Sequence, residues 1–214
     1  MFSESPSTFR SYLNLVEKSG ELKRETGEVN AKFEIAAIHM KVQAEKGPAL
    51  LFENVKGFDM PVLVNMLSTR KRLAMGLGLP ADVTFEKLNE ELVKRVRKEV
   101  EPVVLETGPC KEVVVGEDEV DLTRFPIVTM HEKDAGPYLT GGFVVARDPE
   151  TGEQNMSFHR FLLKGKNKFG IQISETAHGH YIMQKNLRNG KPTPMAVAIG
   201  LHPTVELGFL SFTG

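Results

Sequence analysis

The sequence predicts a mixed α/β protein built in two parts, a layer of alternating helices and strands followed by an antiparallel meander. Two observations carry this prediction. Through about residue 100, capped helical patterns alternate with short apolar runs; after Pro102 the texture changes to longer runs separated by tight turns. The 214 residues suffice for one large domain or two small ones, and 41% hydrophobic with 26% charged residues is ordinary for a globular chain. The boundary is expected between Glu99 and Leu122, giving parts of residues 1–115 and 116–214.

The elements follow in order. Ser7 or Thr8 can cap a helix carrying Phe9, Tyr12, Leu13 and Val16 on one side, and Gly20 ends it. A second helix follows Asn30, with Phe33, Ile35, Ala36, Ile38 and Met40 as a broad apolar face, and stops at Gly47-Pro48. "ALLFENV" and "PVLVNML" read as short buried strands. Ser68 is expected to cap a third helix running to Met75, and Thr84 a fourth in which Phe85, Leu88, Leu92 and Val96 are in register.

In the second part, "KEVVVGEDEVDL" reads as a strand and a turn. Residues 139–174 read as three strands joined by turns at Asp148-Pro149-Glu150-Thr151-Gly152 and Gly165-Lys166-Asn167. A helix from about His178 to Arg188 is closed by Asn189-Gly190. "MAVAIGL" and "TVELGFLSF" read as two further buried strands. Because the sequence ends directly after an apolar run, it is expected to be truncated or half of a larger assembly.

Composition narrows the function. The formal charge of −1 recruits neither nucleic acid nor an anionic membrane. The start lacks the basic and apolar segments of a signal peptide, and no apolar run approaches the ~20 residues of a membrane span. A single cysteine, Cys110, allows no internal disulfide and fits a reducing, cytoplasmic setting. No His or Asp motif accompanies Cys110 to make it a nucleophile, and neither a Walker motif nor a strand-GxGxxG-helix order is present.

The segment "EQNMSFHRFLL", residues 153–163, carries the polar residues of interest. Alternation along a strand places Asn155, Ser157 and His159 on one face and Met156, Phe158, Arg160 and Leu162 on the other. A solvated edge strand would explain the first set. Arg160 on the apolar face needs a partner or a ligand. His131, Asp134 and Gly136 lie in a Gly/Pro-rich loop; for His131 a structural or surface role is the expectation. His178 and His180 open a helix, where free N–H groups attract anions. The Asn155 carbonyl oxygen and a His178 ring nitrogen could serve a metal, and such a donor set suits Mn²⁺ or Mg²⁺ better than Zn²⁺. An acidic ligand would still be needed, and spacing alone identifies none.

Taken together, a D-x-G-x-Y-[IL]-T loop (Asp134 to Thr140), a D-P-x-T-G turn (Asp148 to Gly152), an Asn followed five residues later by an Arg (Asn155, Arg160) and a later His (His178) resemble the UbiD-type decarboxylases that use prenylated FMN. The resemblance covers essentially the whole sequence but only the first half of a family member. It implies that residues 116–214 form most of a flavin-binding split β-barrel. It also implies that Asn155 and His178 ligate a divalent metal, usually Mn²⁺, bridging the cofactor phosphate to the protein. K⁺ is a further candidate ion.

By the same resemblance, Ser157, Phe158, His159, Arg160, His178 and Ser211 contact the cofactor, and Arg160 holds the substrate carboxylate, for which its planar fork is suited. Asn155 and Arg160 point to opposite faces of an ideal strand, so a bulge or strong twist is required to bring both to one cofactor. The family's third metal ligand and acidic proton donor are glutamates further along than Gly214, so this chain alone is expected to be inactive. The implied reaction is non-oxidative (de)carboxylation of an α,β-unsaturated or aromatic acid, with a flavin prenyltransferase as cofactor source and a homo-oligomeric assembly. His159 departs from the Tyr or Ala more familiar before the Arg; this form resembles archaeal-type members, some of which act on an aliphatic anhydromevalonate phosphate. The alternative is a flavin- or phosphate-binding module without catalysis of its own.

Overall fold

The structure is a computed structural model that describes residues 6–98 and 100–208. Its first part is a three-stranded sheet between helices. β1 (Leu22–Glu25) pairs in parallel with β2 (Ala49–Phe52), which pairs antiparallel with β3 (Val62–Val64). Successive side chains of β2 point to opposite faces. Leu50 and Phe52 pack with Val29, Ile35 and Val55 beneath α2 (Glu34–Ala44). Ala49 and Leu51 pack on the other face with Tyr12 and Val16 of α1 (Phe9–Lys18) and Met75 of α3 (Arg70–Gly76). A strand buried on both faces needs apolar residues at consecutive positions, which is why "ALLF" is a continuous run.

Local signals end most helices where the sequence indicates. Thr8 and Ser11 form reciprocal side chain-to-amide bonds of 3.0 Å at the start of α1, and Gly20 at φ 74° follows its end. Thr84 caps α4 (Phe85–Val96). Ser68 does not cap α3; Thr69 does, accepting from the Arg72 amide, while the Ser68 hydroxyl is engaged by Asn65 and Arg72. Phe33 precedes α2 instead of joining its apolar face.

The second part is a four-stranded antiparallel sheet in the order β6-β5-β4-β7, made of β4 (Tyr138–Arg147), β5 (Gln154–Gly165), β6 (Lys168–Ile171) and β7 (Met195–Ile199). The expected meander and both turns are present. α5 runs from His178 to Arg188, closed by Asn189 and by Gly190 at φ 66°. It covers one sheet face, burying Ile182 against Val144, Ala146 and Phe161. Burial of an aliphatic side chain of this size contributes about 1.5–3 kcal/mol.

Four expectations are corrected. Residues 109–124 form no strand; they make short 3₁₀ turns at Pro109–Lys111, Glu117–Glu119 and Leu122–Arg124, and Val113 and Val114 are each 81% exposed. β-branched residues favour strands only where a partner strand receives them. Residues 203–208 are a helix, α6 (Pro203–Gly208), not a strand; Pro is well placed in a first helical turn, and residues 209–212 lie outside the described residues. β7 is not buried, since Val197 and Ile199 are exposed at the sheet edge, and β3 is only half-buried.

α6 also joins the two parts. A β-carbon on Gly76 of α3 would stand 2.8 Å from Pro203 Cβ, so only glycine admits this approach. A second link is the bridge between Lys32 and Thr129, where the Phe33 amide donates to the Thr129 carbonyl at 3.0 Å.

Candidate active site

β5 presents its polar residues as alternation predicts. Asn155, Ser157 and His159 pair across β4 with Ala146, Val144 and Gly142, and so share the sheet face on which α5 packs. Phe158 pairs with Phe143 on the opposite face, their rings 5.5 Å apart. Arg160 belongs to that second face. A register shift is present, but it lies in β4 between Leu139 and Gly142, opposite Arg160. β5 keeps its own alternation from Asn155 to Arg160, with its irregularity only at Leu163/Gly165.

Asn155 and His178 come together. Both line one open cavity of about 240 Å³ with Asp148, Tyr181, Ile182 and Lys185, although one residue lies on β5 and the other opens α5. A β-carbon on buried Gly179 would lie 4.0 Å from Ser157 Oγ, so the first turn of α5 rests close against β5. His159 Nε2 is 2.9 Å from Ser157 Oγ. Burial pushes the His159 imidazole below its ordinary range, opposed in part by the Gln172 backbone carbonyl.

Arg160 is exposed and has no carboxylate partner among the described residues; its guanidinium carbon lies 5.3 Å above the Tyr138 ring. An arginine on an otherwise apolar strand face therefore satisfies its position by cation–π contact and solvent, not by a buried ion pair. At the far end of the cavity, Lys185 Nζ lies 2.7 Å from Asp148 and 2.8 Å from Glu150. The Lys185 ammonium, aided by the Glu150 and Thr151 amides, holds the Asp148 carboxyl below its usual range.

The donors fit a divalent cation in part. A carboxamide oxygen and an imidazole nitrogen suit Mn²⁺ or Mg²⁺, and neither side chain has a hydrogen-bond partner among the described residues. Among those residues, no group of three His, Cys, Asp or Glu could hold a metal. The pair therefore offers two donor atoms and leaves the cavity open for others.

The remaining candidates separate from this site. Ser211 lies outside the described residues. His131 and Asp134 form a local turn, the His131 amide donating to Asp134 at 2.9 Å, and Cys110 is an exposed free thiol. Tyr138 and the Asp148–Lys185 pair were not singled out from the sequence. The D-P-x-T-G turn, and a lysine seven residues after His178, were the only signals available for the latter.

The chain is thus a mixed α/β protein whose antiparallel sheet and packed helix bring an Asn and a His to one cavity. Comparison with known proteins specifies it further. Residues 13–92 match the 3-octaprenyl-4-hydroxybenzoate carboxy-lyase N-terminal domain, and residues 102–209 match the Rift-related domain of the same carboxy-lyase. An evolved dimeric form of the UbiD-class enzyme HmfF from Pelotomaculum thermopropionicum, solved with prFMN, superposes with TM-score 0.88 at 35% identity, covering 96% of this chain and 47% of that one. Vanillic acid decarboxylase of Sedimentibacter hydroxybenzoicus gives 0.87 at 30% identity, with 92% and 43% covered. A 3,4-dihydroxybenzoic acid decarboxylase of Enterobacter cloacae gives 0.86 at 27% identity, with 94% and 44% covered. The chain belongs to the UbiD family, and it spans less than half the length of these relatives.

Proposed function

We propose that this chain is the flavin- and metal-holding part of a non-oxidative carboxy-lyase acting on an aromatic or α,β-unsaturated carboxylic acid. The observation that carries the reading is the convergence of Asn155 and His178, from separate elements, on one cavity. The similarity to decarboxylases of vanillic and 3,4-dihydroxybenzoic acids supports the substrate class. Prenylated FMN, when bound, supplies the carbon–carbon chemistry, which no side chain here could perform.

The roles of the chain's own residues follow from their chemistry. Asn155 and His178 hold a divalent metal, Mn²⁺ by preference, with K⁺ as a further ion. Ser157, His159 and His178 line the cofactor from one face of β5, and by resemblance Phe158, Arg160 and Ser211 join them, with the β4 bulge opposite Arg160 as the source of the twist that brings the second face to the same ligand. Arg160, free of any carboxylate among the described residues, receives the substrate carboxylate through two parallel N–H donors. In this reading residues 1–115 and 116–214 are separate domains, supported by two sheets that share no strand. The second sheet is then part of a split barrel. A cytoplasmic homo-oligomer supplied by a flavin prenyltransferase completes the proposal; no described helix is long and apolar enough to cross a membrane.

A second reading, a flavin- or phosphate-binding module without catalysis of its own, is favoured by the engagement of the two carboxylates that line the cavity, Asp148 by Lys185 and Glu153 by Thr151. Reconstitution of a complete protein, carrying the segment that the relatives have beyond this one, with prenylated FMN and Mn²⁺ distinguishes them. CO₂ release from an aromatic or unsaturated acid supports the carboxy-lyase, whereas flavin and metal binding without turnover of any such acid supports the module.

A further inference from the structure

We propose that Lys185 and Asp148 are positioning residues that set the separation of Asn155 and His178, a reading that rests on the metal-holding role of that pair. Asp148 opens the turn between β4 and β5. Its Oδ1 accepts from the amides of Glu150 at 2.8 Å and Thr151 at 3.2 Å, and its own amide donates to the Glu153 carbonyl at 2.8 Å. Those bonds make the turn a rigid unit, and β5 leaves it with Asn155 only two residues beyond Glu153, opposite Ala146. Asp148 Oδ2 is left to accept from Lys185 Nζ at 2.7 Å. One carboxylate thus closes the turn with one oxygen and grips α5 with the other.

α5 carries the matching half of this arrangement. His178, Ile182 and Lys185 occur at i, i+4 and i+7, one helical face, so His178 and Lys185 stand about 10.5 Å apart along the axis. Ile182 between them is buried on Val144, Ala146 and Phe161. Gly179, Ile182 and Asn186 seat the helix on the sheet. The ion pair at the Lys185 end ties that seated helix to the turn that leads into Asn155, so the two ligand-bearing elements are held in one register. Asp148, Asn155, His178 and Lys185 all line the same cavity. The pair is half-buried, with side chains 27% and 16% exposed, whereas Glu150, the other partner of Lys185, is 63% exposed. A half-buried, doubly anchored carboxylate holds geometry better than a solvated surface pair, whose worth is small.

Loss of a group hydrogen-bonded directly to a metal ligand typically lowers affinity about 10–100-fold; Asp148 and Lys185 act one step further out, through the turn and helix that carry Asn155 and His178, so the low end of that range is expected. The test is a Mn²⁺ titration of the complete protein in the presence of FMN, read by electron paramagnetic resonance of free Mn²⁺, with melting temperature measured alongside. Lys185→Met keeps the aliphatic packing, and Asp148→Asn keeps the oxygen that closes the turn. Each is expected to weaken Mn²⁺ binding about tenfold at an unchanged melting temperature, and the double variant to be no weaker than either single. Lys185→Arg is expected to restore most of the affinity. Unchanged affinity in the single variants overturns the proposal. So do independent, additive losses, or losses that track a falling melting temperature. Asn155→Ala is the reference arm: if it leaves Mn²⁺ affinity intact, or the parent binds no Mn²⁺, the metal-holding reading itself fails and takes this proposal with it.

Discussion

The Arg160 guanidinium lies 5.3 Å above the Tyr138 ring, held on an exposed strand face by an aromatic neighbour and not by a carboxylate. Had Arg160 been paired in the core, removing its partner would cost about 3–5 kcal/mol. Its exposure removes that cost and leaves its donors available for a ligand.

In a complete, reconstituted enzyme, Arg160→Lys is therefore expected to leave melting temperature and flavin content close to the parent while lowering kcat and kcat/KM together, because an ammonium loses the planar fork. Full activity in a folded, flavin-loaded Arg160→Lys enzyme would remove Arg160 from the reaction.

The opposite behaviour is expected at Arg72, whose side chain is fully buried. It donates to Glu21 at 3.0 Å, to the carbonyls of Met66 and Gly47 at 3.1 Å, and to Ser68 at 2.7 Å. Arg72→Met strands those acceptors and is expected to lower unfolding free energy by about 3–5 kcal/mol in denaturant titrations. A loss below about 1 kcal/mol would show that water replaces the guanidinium.

Glu206 predicts a pH dependence. Burial pushes its carboxyl up to about 7, against an ordinary value near 4.5. The folded state then binds more protons than the unfolded state between those values. Stability from this group is fully present below pH about 4.5 and is lost as pH rises through about 7. Glu206→Gln should lack that loss, so the variant gains on the parent between pH 5 and pH 8 in paired melting curves. Parallel curves across that range would contradict the assignment.

What could be read from the sequence divides along physical lines. α5 was legible residue by residue, from His178 to the Asn189-Gly190 stop, because its caps and apolar spacing are local. Strand parity placed Asn155, Ser157 and His159 on one face for the same reason. β1 was missed because three of its four residues, Lys23, Arg24 and Glu25, are charged, and only pairing with β2 makes them a strand. α6 was read as the start of a strand because it opens the apolar run "TVELGFLSF", yet its packing of Pro203 on Gly76 is a contact across more than half the chain. The Asp148–Lys185 pair spans 37 residues, and Tyr138 meets Arg160 across a shifted register. Neither relationship has a local sequence signature.

The central claim, that Asn155 and His178 together hold the metal and through it the flavin phosphate, is tested most directly by Asn155→Ala. The measurement is metal and flavin content per chain, after reconstitution with Mn²⁺ and prenylated FMN, by elemental analysis and flavin absorbance. The account predicts that the variant folds with the parent's melting temperature but retains neither Mn²⁺ nor flavin. A folded Asn155→Ala protein carrying both at the parent's level would contradict it.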